Sequence, residues 1–151
     1  MTTIELLGKA DLLGTPGSIM LARMYVREVL LRAGHPASSR ADDIVLIAGE
    51  VVANAIKHSR SGSRPGGVVN LLVYGDARTV RVEVADEGSS DTIPRIPAQT
   101  DPLSESGRGL WLVRELSSAW GWRQDDTGHT VWFELSTTPG TPAGTAAPGG
   151  G

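Results

Sequence analysis

Apolar residues recur at helical spacing after Pro16-Gly17: Ile19, Ala22, Val26 and Val29-Leu30 mark one face of an amphipathic helix, expected to be capped by Ser18 and ended by Gly34-His35-Pro36. A second helix is expected from Ser38 or Ser39, either of which can cap it, to about His58. Asp42 and Asp43 lie in its first turn, where the helix dipole favours negative charge. Its broad apolar side, Val45, Ala48, Val52, Ala55 and Ile56, reads as a surface that packs on a sheet. The run SRSGSRPGG that follows (59–67) has the composition of a plain loop.

The period then changes to two. Strands are expected at Val68–Tyr74 and Thr79–Asp86, joined by the turn Gly75-Asp76-Ala77-Arg78. Residues 87–109, with Pro94, Pro97 and Pro102, form a long irregular segment, and loops beyond about 12–15 residues in a folded domain are usually lids, binding loops or disorder. A helix is expected to open at Gly109-Leu110 and run to about Ser118. Ala119–Gln124 and His129–Leu135 then pair as a hairpin around Asp125-Asp126-Thr127-Gly128. A short strand at 3–7 completes the order β, α, α, β, β, lid, α, β, β, which predicts an α+β two-layer α/β sandwich. From residue 137 the chain reads TTPGTPAGTAAPGGG, which has too little apolar surface to offset ordering; the expected division is a domain over 1–136 and a flexible tail over 137–151.

Composition narrows the function classes. At 151 residues the chain fits one domain, since domains cluster at roughly 100–150 residues. A net charge of −3, with twelve arginines and two lysines scattered rather than clustered, argues against binding nucleic acid through its phosphates. Without cysteine there are no disulfides, thiolate metal sites or cysteine nucleophiles. No apolar run approaches the roughly 20 residues that cross a bilayer, and the N-terminus does not read as a signal peptide, so a cytoplasmic protein is expected. Trp111, Trp120, Trp122 and Trp132 read as core or sheet-face aromatics, His35 as a turn residue and His129 as a strand-edge one.

Three short patterns carry candidate chemistry. On the second helix Glu50 and Asn54 are one turn apart and share a face, extended by Asp43, Lys57 and His58. That stripe is either a solvated face or a hard-cation site, in which the amide oxygen ligates Mg²⁺ and the carboxylate polarises a water or hydroxyl. On the second strand, parity turns Asp86 to the same side as Val80, Val82 and Val84, where a carboxylate needs a hydrogen-bond donor. An adenine amino group is one donor and a backbone N–H at the adjoining turn is another, with Gly88 leaving room for a close approach. Gly107-Arg108-Gly109-Leu110 before a helix is either a turn or an anion site, where free N–H groups and Arg108 meet a phosphate.

Glu50-x-x-x-Asn54, Asp86-x-Gly88 and Gly107-x-Gly109-Leu110, in this order and with a long segment between the last two, resemble the GHKL ATPase superfamily, the ATP-binding fold of histidine kinases, heat-shock chaperones and mismatch-repair ATPases. The short forms EVVANAIKHS (50–59) and SGRGLWLV (106–113) look most like the anti-sigma-factor serine/threonine kinases. The resemblance implies a Bergerat-type fold with a mixed, largely antiparallel sheet and helices on one face. It also implies ATP and Mg²⁺ as cofactors. Glu50 would be the general base, Asn54 the Mg²⁺ ligand and Asp86 the acceptor for the adenine amino group. Gly88 would leave room for the ring, Gly107, Arg108, Gly109 and Leu110 would hold the phosphates, and Lys57 and His58 would lie within reach of them. The partners implied are a sigma factor and an anti-anti-sigma antagonist, bound by a homodimer, with no direct nucleic-acid or membrane contact. The sequence departs from the usual Asp-x-Gly-x-Gly at Ser90, and its lid is rich in proline. A non-catalytic, nucleotide-responsive module that sequesters a partner would share those features, but it would have no use for Glu50 beside Asn54.

Overall fold

The computed structural model describes residues 4–88 and 112–137. Along the chain come β1 (Glu5–Leu13), α1 (Gly17–Arg32), α2 (Ser39–His58), a single turn α3 (Arg60–Ser63), β2 (Val68–Gly75), β3 (Thr79–Asp86), β4 (Ala119–Asp125) and β5 (Gly128–Ser136). Residues 112–116 are also helical. The strands form one sheet in the order β1-β2-β3-β5-β4, antiparallel at every pair of the described residues, where a mixed, largely antiparallel sheet was expected.

The two periodicities meet in a single core. One sheet face contributes Val69, Leu71 and Val73 from β2, Val80, Val82 and Val84 from β3, and Phe133 and Leu135 from β5. Val26, Val29 and Leu30 of α1 and Ile44, Ile47, Ala48, Val51 and Val52 of α2 pack against it. Burying each valine, leucine, isoleucine or phenylalanine among them contributes about 1.5–3 kcal/mol, enough to lock both helices to that face and fix the rotation of α2 about its axis. The opposite face carries charge instead: Arg81 bridges Glu83 at 2.8 Å and Glu134 at 2.9 Å and lies over the Trp132 ring, and Arg123 reaches Glu83 at 3.0 Å.

Three local expectations need correction. The strand expected at 3–7 runs from Glu5 to Leu13 and pairs with β2 along its whole length, with a register shift between Leu6 and Gly8. It lies at the sheet edge and only Leu12 is buried, so its alternation is too weak to read in the sequence. Ser18 is not a cap: α1 starts at Gly17 after Pro16, without a side-chain cap, and Ser18 is buried inside the helix. Ser38, by contrast, caps α2 by accepting the Ala41 N–H at 3.1 Å. The run over 59–67 is not a plain loop, since it contains α3.

Candidate functional site

α2 brings Glu50 and Asn54 together. With Ile47, Ala48, Val51, Val52 and Ala55 turned into the core, the two polar residues fall on the helix's half-buried flank, one turn apart. The Glu50 side chain is 20% exposed, and its Oε1 lies 3.9 Å from Arg23 Nη2 on α1. Among the described residues the Asn54 amide has no hydrogen-bond partner. A half-buried amide without a partner suits an external ligand, and its carbonyl oxygen is the hard donor that Mg²⁺ prefers. Lys57 and His58 are exposed in the last turn and make no ion pair among the described residues.

Asp86 ends β3 opposite His129 of β5, on the side of Val80, Val82 and Val84 as parity requires. Its side chain is 10% exposed. Oδ1 accepts the Gly88 N–H at 2.7 Å, so the turn donor is in place. Burial pushes the Asp86 carboxyl above the usual range, against the opposing pull of the Gly88 N–H and of His129. A carboxylate offers about four lone-pair sites, so one such bond leaves capacity for a further donor such as an adenine amino group. His129 is no strand-edge residue: it is 4% exposed and its Nδ1 lies 3.8 Å from Asp86 Oδ1. Gly128 has φ 149°, and a Cβ there would come within 1.9 Å of the Asp86 carbonyl oxygen, so the turn into β5 presses directly on the Asp86 backbone.

A bracket invisible in the sequence joins the end of α2 to the end of β3. Ser59 Oγ donates to the Ala55 carbonyl at 2.5 Å and accepts the Ser61 N–H. The Arg60 N–H donates to the Gly88 carbonyl at 2.8 Å. Ser61 Oγ, buried, donates to the Val68 carbonyl at 2.7 Å and accepts the Glu87 N–H at 2.9 Å. The Glu87 carboxylate in turn accepts the Arg64 Nε–H and the Val68 N–H, and these two donors hold it below the usual carboxylate range. Ser61, Arg64 and Glu87 thereby fix Asp86 and Gly88 relative to the helix that carries Asn54. Sequence reasoning missed all three, because the residue type at position 87 gives no sign of a partner at position 64. Gly107, Arg108, Gly109 and Leu110, like Ser89, Ser90, Trp111 and the intervening lid, lie outside the described residues.

An antiparallel sheet with two helices on one face, and polar residues at the helix flank and strand end, makes a two-layer α+β fold. The family model for the histidine kinase-like ATPase domain matches residues 13–135, and the chain belongs to that family. It is an ATP-binding regulatory domain of the GHKL type, a class whose chemistry is ATP hydrolysis or kinase-type transfer and which usually takes Mg²⁺. No match to a curated protein was found. Among the described residues no helix is long and apolar enough to cross a membrane.

Proposed function

We propose that this protein is a cytoplasmic, Mg²⁺–ATP-dependent serine/threonine protein kinase of the anti-sigma type. It would act as a homodimer that sequesters a sigma factor and phosphorylates an antagonist protein to control release. The observation that carries this reading is the pairing on α2 of the Glu50 carboxylate with an Asn54 amide that has no partner among the described residues. A pure nucleotide binder needs no base beside its metal ligand.

Each residue has a defined task in this reading. Asp86 accepts a hydrogen bond from the adenine amino group, and Gly88, at φ 76°, opens the backbone beside the ring. Asn54 holds Mg²⁺ through its amide oxygen. Glu50 takes the proton of the acceptor serine or threonine hydroxyl. Gly107, Arg108, Gly109 and Leu110 hold the phosphates, and Lys57 and His58 lie within reach of them. Bound Mg²⁺–ATP supplies the phosphoryl group and neutralises its developing charge, and the protein contributes mainly position.

Calorimetric and thermal-shift titration with ATP and Mg²⁺, on the wild type and Asn54→Ala, tests the site. Metal-dependent stabilisation is expected in the wild type and should disappear in the variant. Absence of binding in the wild type would sink the kinase reading. Binding without phosphoryl transfer, equally in the wild type and Glu50→Gln, would establish the non-catalytic module instead.

A further inference from the structure

Glu50 does not stand alone on its helix. Arg23 projects from α1, 44% exposed, and brings Nη2 to 3.9 Å from Glu50 Oε1. Its stem lies flat on α2 at Gly49, the residue just before Glu50: a Cβ at Gly49 would come within 2.3 Å of Arg23 Nε, 2.9 Å of Cγ and 3.1 Å of Cδ. Gly49 is buried in the middle of a 20-residue helix, where glycine is the poorest helix former after proline.

Stability does not explain this notch. Exposed ion pairs contribute little, and the same two helices make such a pair without a glycine. Arg27 bridges Asp42 at 3.0 Å, and the residue before Asp42 is Ala41. The cross-helix bridge is thus built twice, and only beside Glu50 does α2 give up a side chain to let the arginine lie down. At 3.9 Å the contact is too long for a hydrogen bond, so it can orient Oε1 without capping the carboxylate.

We propose that Arg23, seated by Gly49, is a positioning residue for Glu50. It holds Oε1 and leaves Oε2 directed to the hydroxyl whose proton Glu50 takes. This inference rests on the reading of Glu50 as the base. The proton passes from the acceptor oxygen to Glu50 as that oxygen bonds to phosphorus and the bond to ADP breaks. Arg23 exchanges no proton.

The test uses the full chain with Mg²⁺–ATP and water in the place of the acceptor hydroxyl, following ADP formation and nucleotide affinity separately in wild type, Arg23→Gln, Arg23→Lys, Gly49→Ala, the Arg23→Gln/Gly49→Ala double variant and Glu50→Gln. Gly49→Ala is the decisive variant, because a Cβ there must displace the Arg23 side chain without removing its charge, and its melting temperature, followed alongside, separates loss of orientation from loss of the fold. Arg23→Gln and Gly49→Ala should each lower kcat roughly tenfold or more with KM and nucleotide affinity unchanged, as loss of orientation at a reacting group does. The double variant should lose no more than either single change, and Arg23→Lys should recover part of the rate. Wild-type kcat in either single variant, or losses that multiply in the double, would overturn the proposal while a dead Glu50→Gln left the base in place. Equal turnover in wild type and Glu50→Gln would remove the base reading, and the role of Arg23 with it.

Discussion

Replacing Asp86 by Asn separates nucleotide recognition from folding. The carboxylate is 10% exposed and pays for its burial, whereas an amide of the same shape carries no charge to desolvate. Its oxygen can keep the 2.7 Å bond from the Gly88 N–H, so the unliganded variant should melt at or above the wild-type temperature. Binding should move the other way. The amide NH₂ would face the adenine amino group donor to donor, and flipping it would set the same clash against Gly88. Loss of one hydrogen bond to a charged acceptor costs about 1.5–3 kcal/mol, or roughly 10- to 150-fold in Kd. At a nucleotide concentration of about 100 times the wild-type Kd, ligand stabilises the wild type by about 2.7 kcal/mol; a thirtyfold weaker variant would keep roughly 0.9 kcal/mol. At roughly 4 °C per kcal/mol, the ATP-induced shift would shrink from about 11 °C to about 3.5 °C. Differential scanning calorimetry with and without Mg²⁺–ATP reads both quantities. An undiminished shift would refute the assignment of Asp86 to the adenine. A large fall in the unliganded melting temperature would refute the claim that its charge is a burden to the fold.

Two further outcomes follow from the same geometry. Burial would push the Glu83 carboxyl up, but hydrogen bonds from Arg81 and Arg123 outweigh it and hold it low, so its stabilisation is present above its unfolded value of 4.5 and is lost as pH falls through the lower folded value. Glu83→Gln should therefore cost about 1–3 kcal/mol at neutral pH, by leaving two arginines short of a partner, and should flatten the acid limb of stability followed by circular dichroism; an unchanged acid limb would show that the network contributes nothing. Gly128→Ala meets both a positive φ and the Asp86 carbonyl oxygen at 1.9 Å, so unfolding in urea should show at least about 1–3 kcal/mol lost to backbone strain; a wild-type midpoint would mean the two backbones separate freely.

Local chemistry was legible along the chain. The α2 stripe, the valine alternation of β3 and the hairpin turn held by Asp125 arise from periodicity and turn residues, which act within a few positions and are written in order. They sufficed for the fold class, and the triple of Glu50, Asp86 and Gly107 patterns for the family. β1 was hardly readable, because an edge strand buries so little that its pattern does not show. Arg23 over Gly49, His129 against Asp86, and the Ser61–Glu87–Arg64 bracket were decided only by the packed structure. Each joins residues far apart in sequence, and a polar side chain carries no record of its partner until the sheet and helices have closed. The sequence by itself thus determined which chemical groups this protein has; tertiary packing decided which groups face one another, because an ion pair or hydrogen bond depends on distance in space and not on order along the chain.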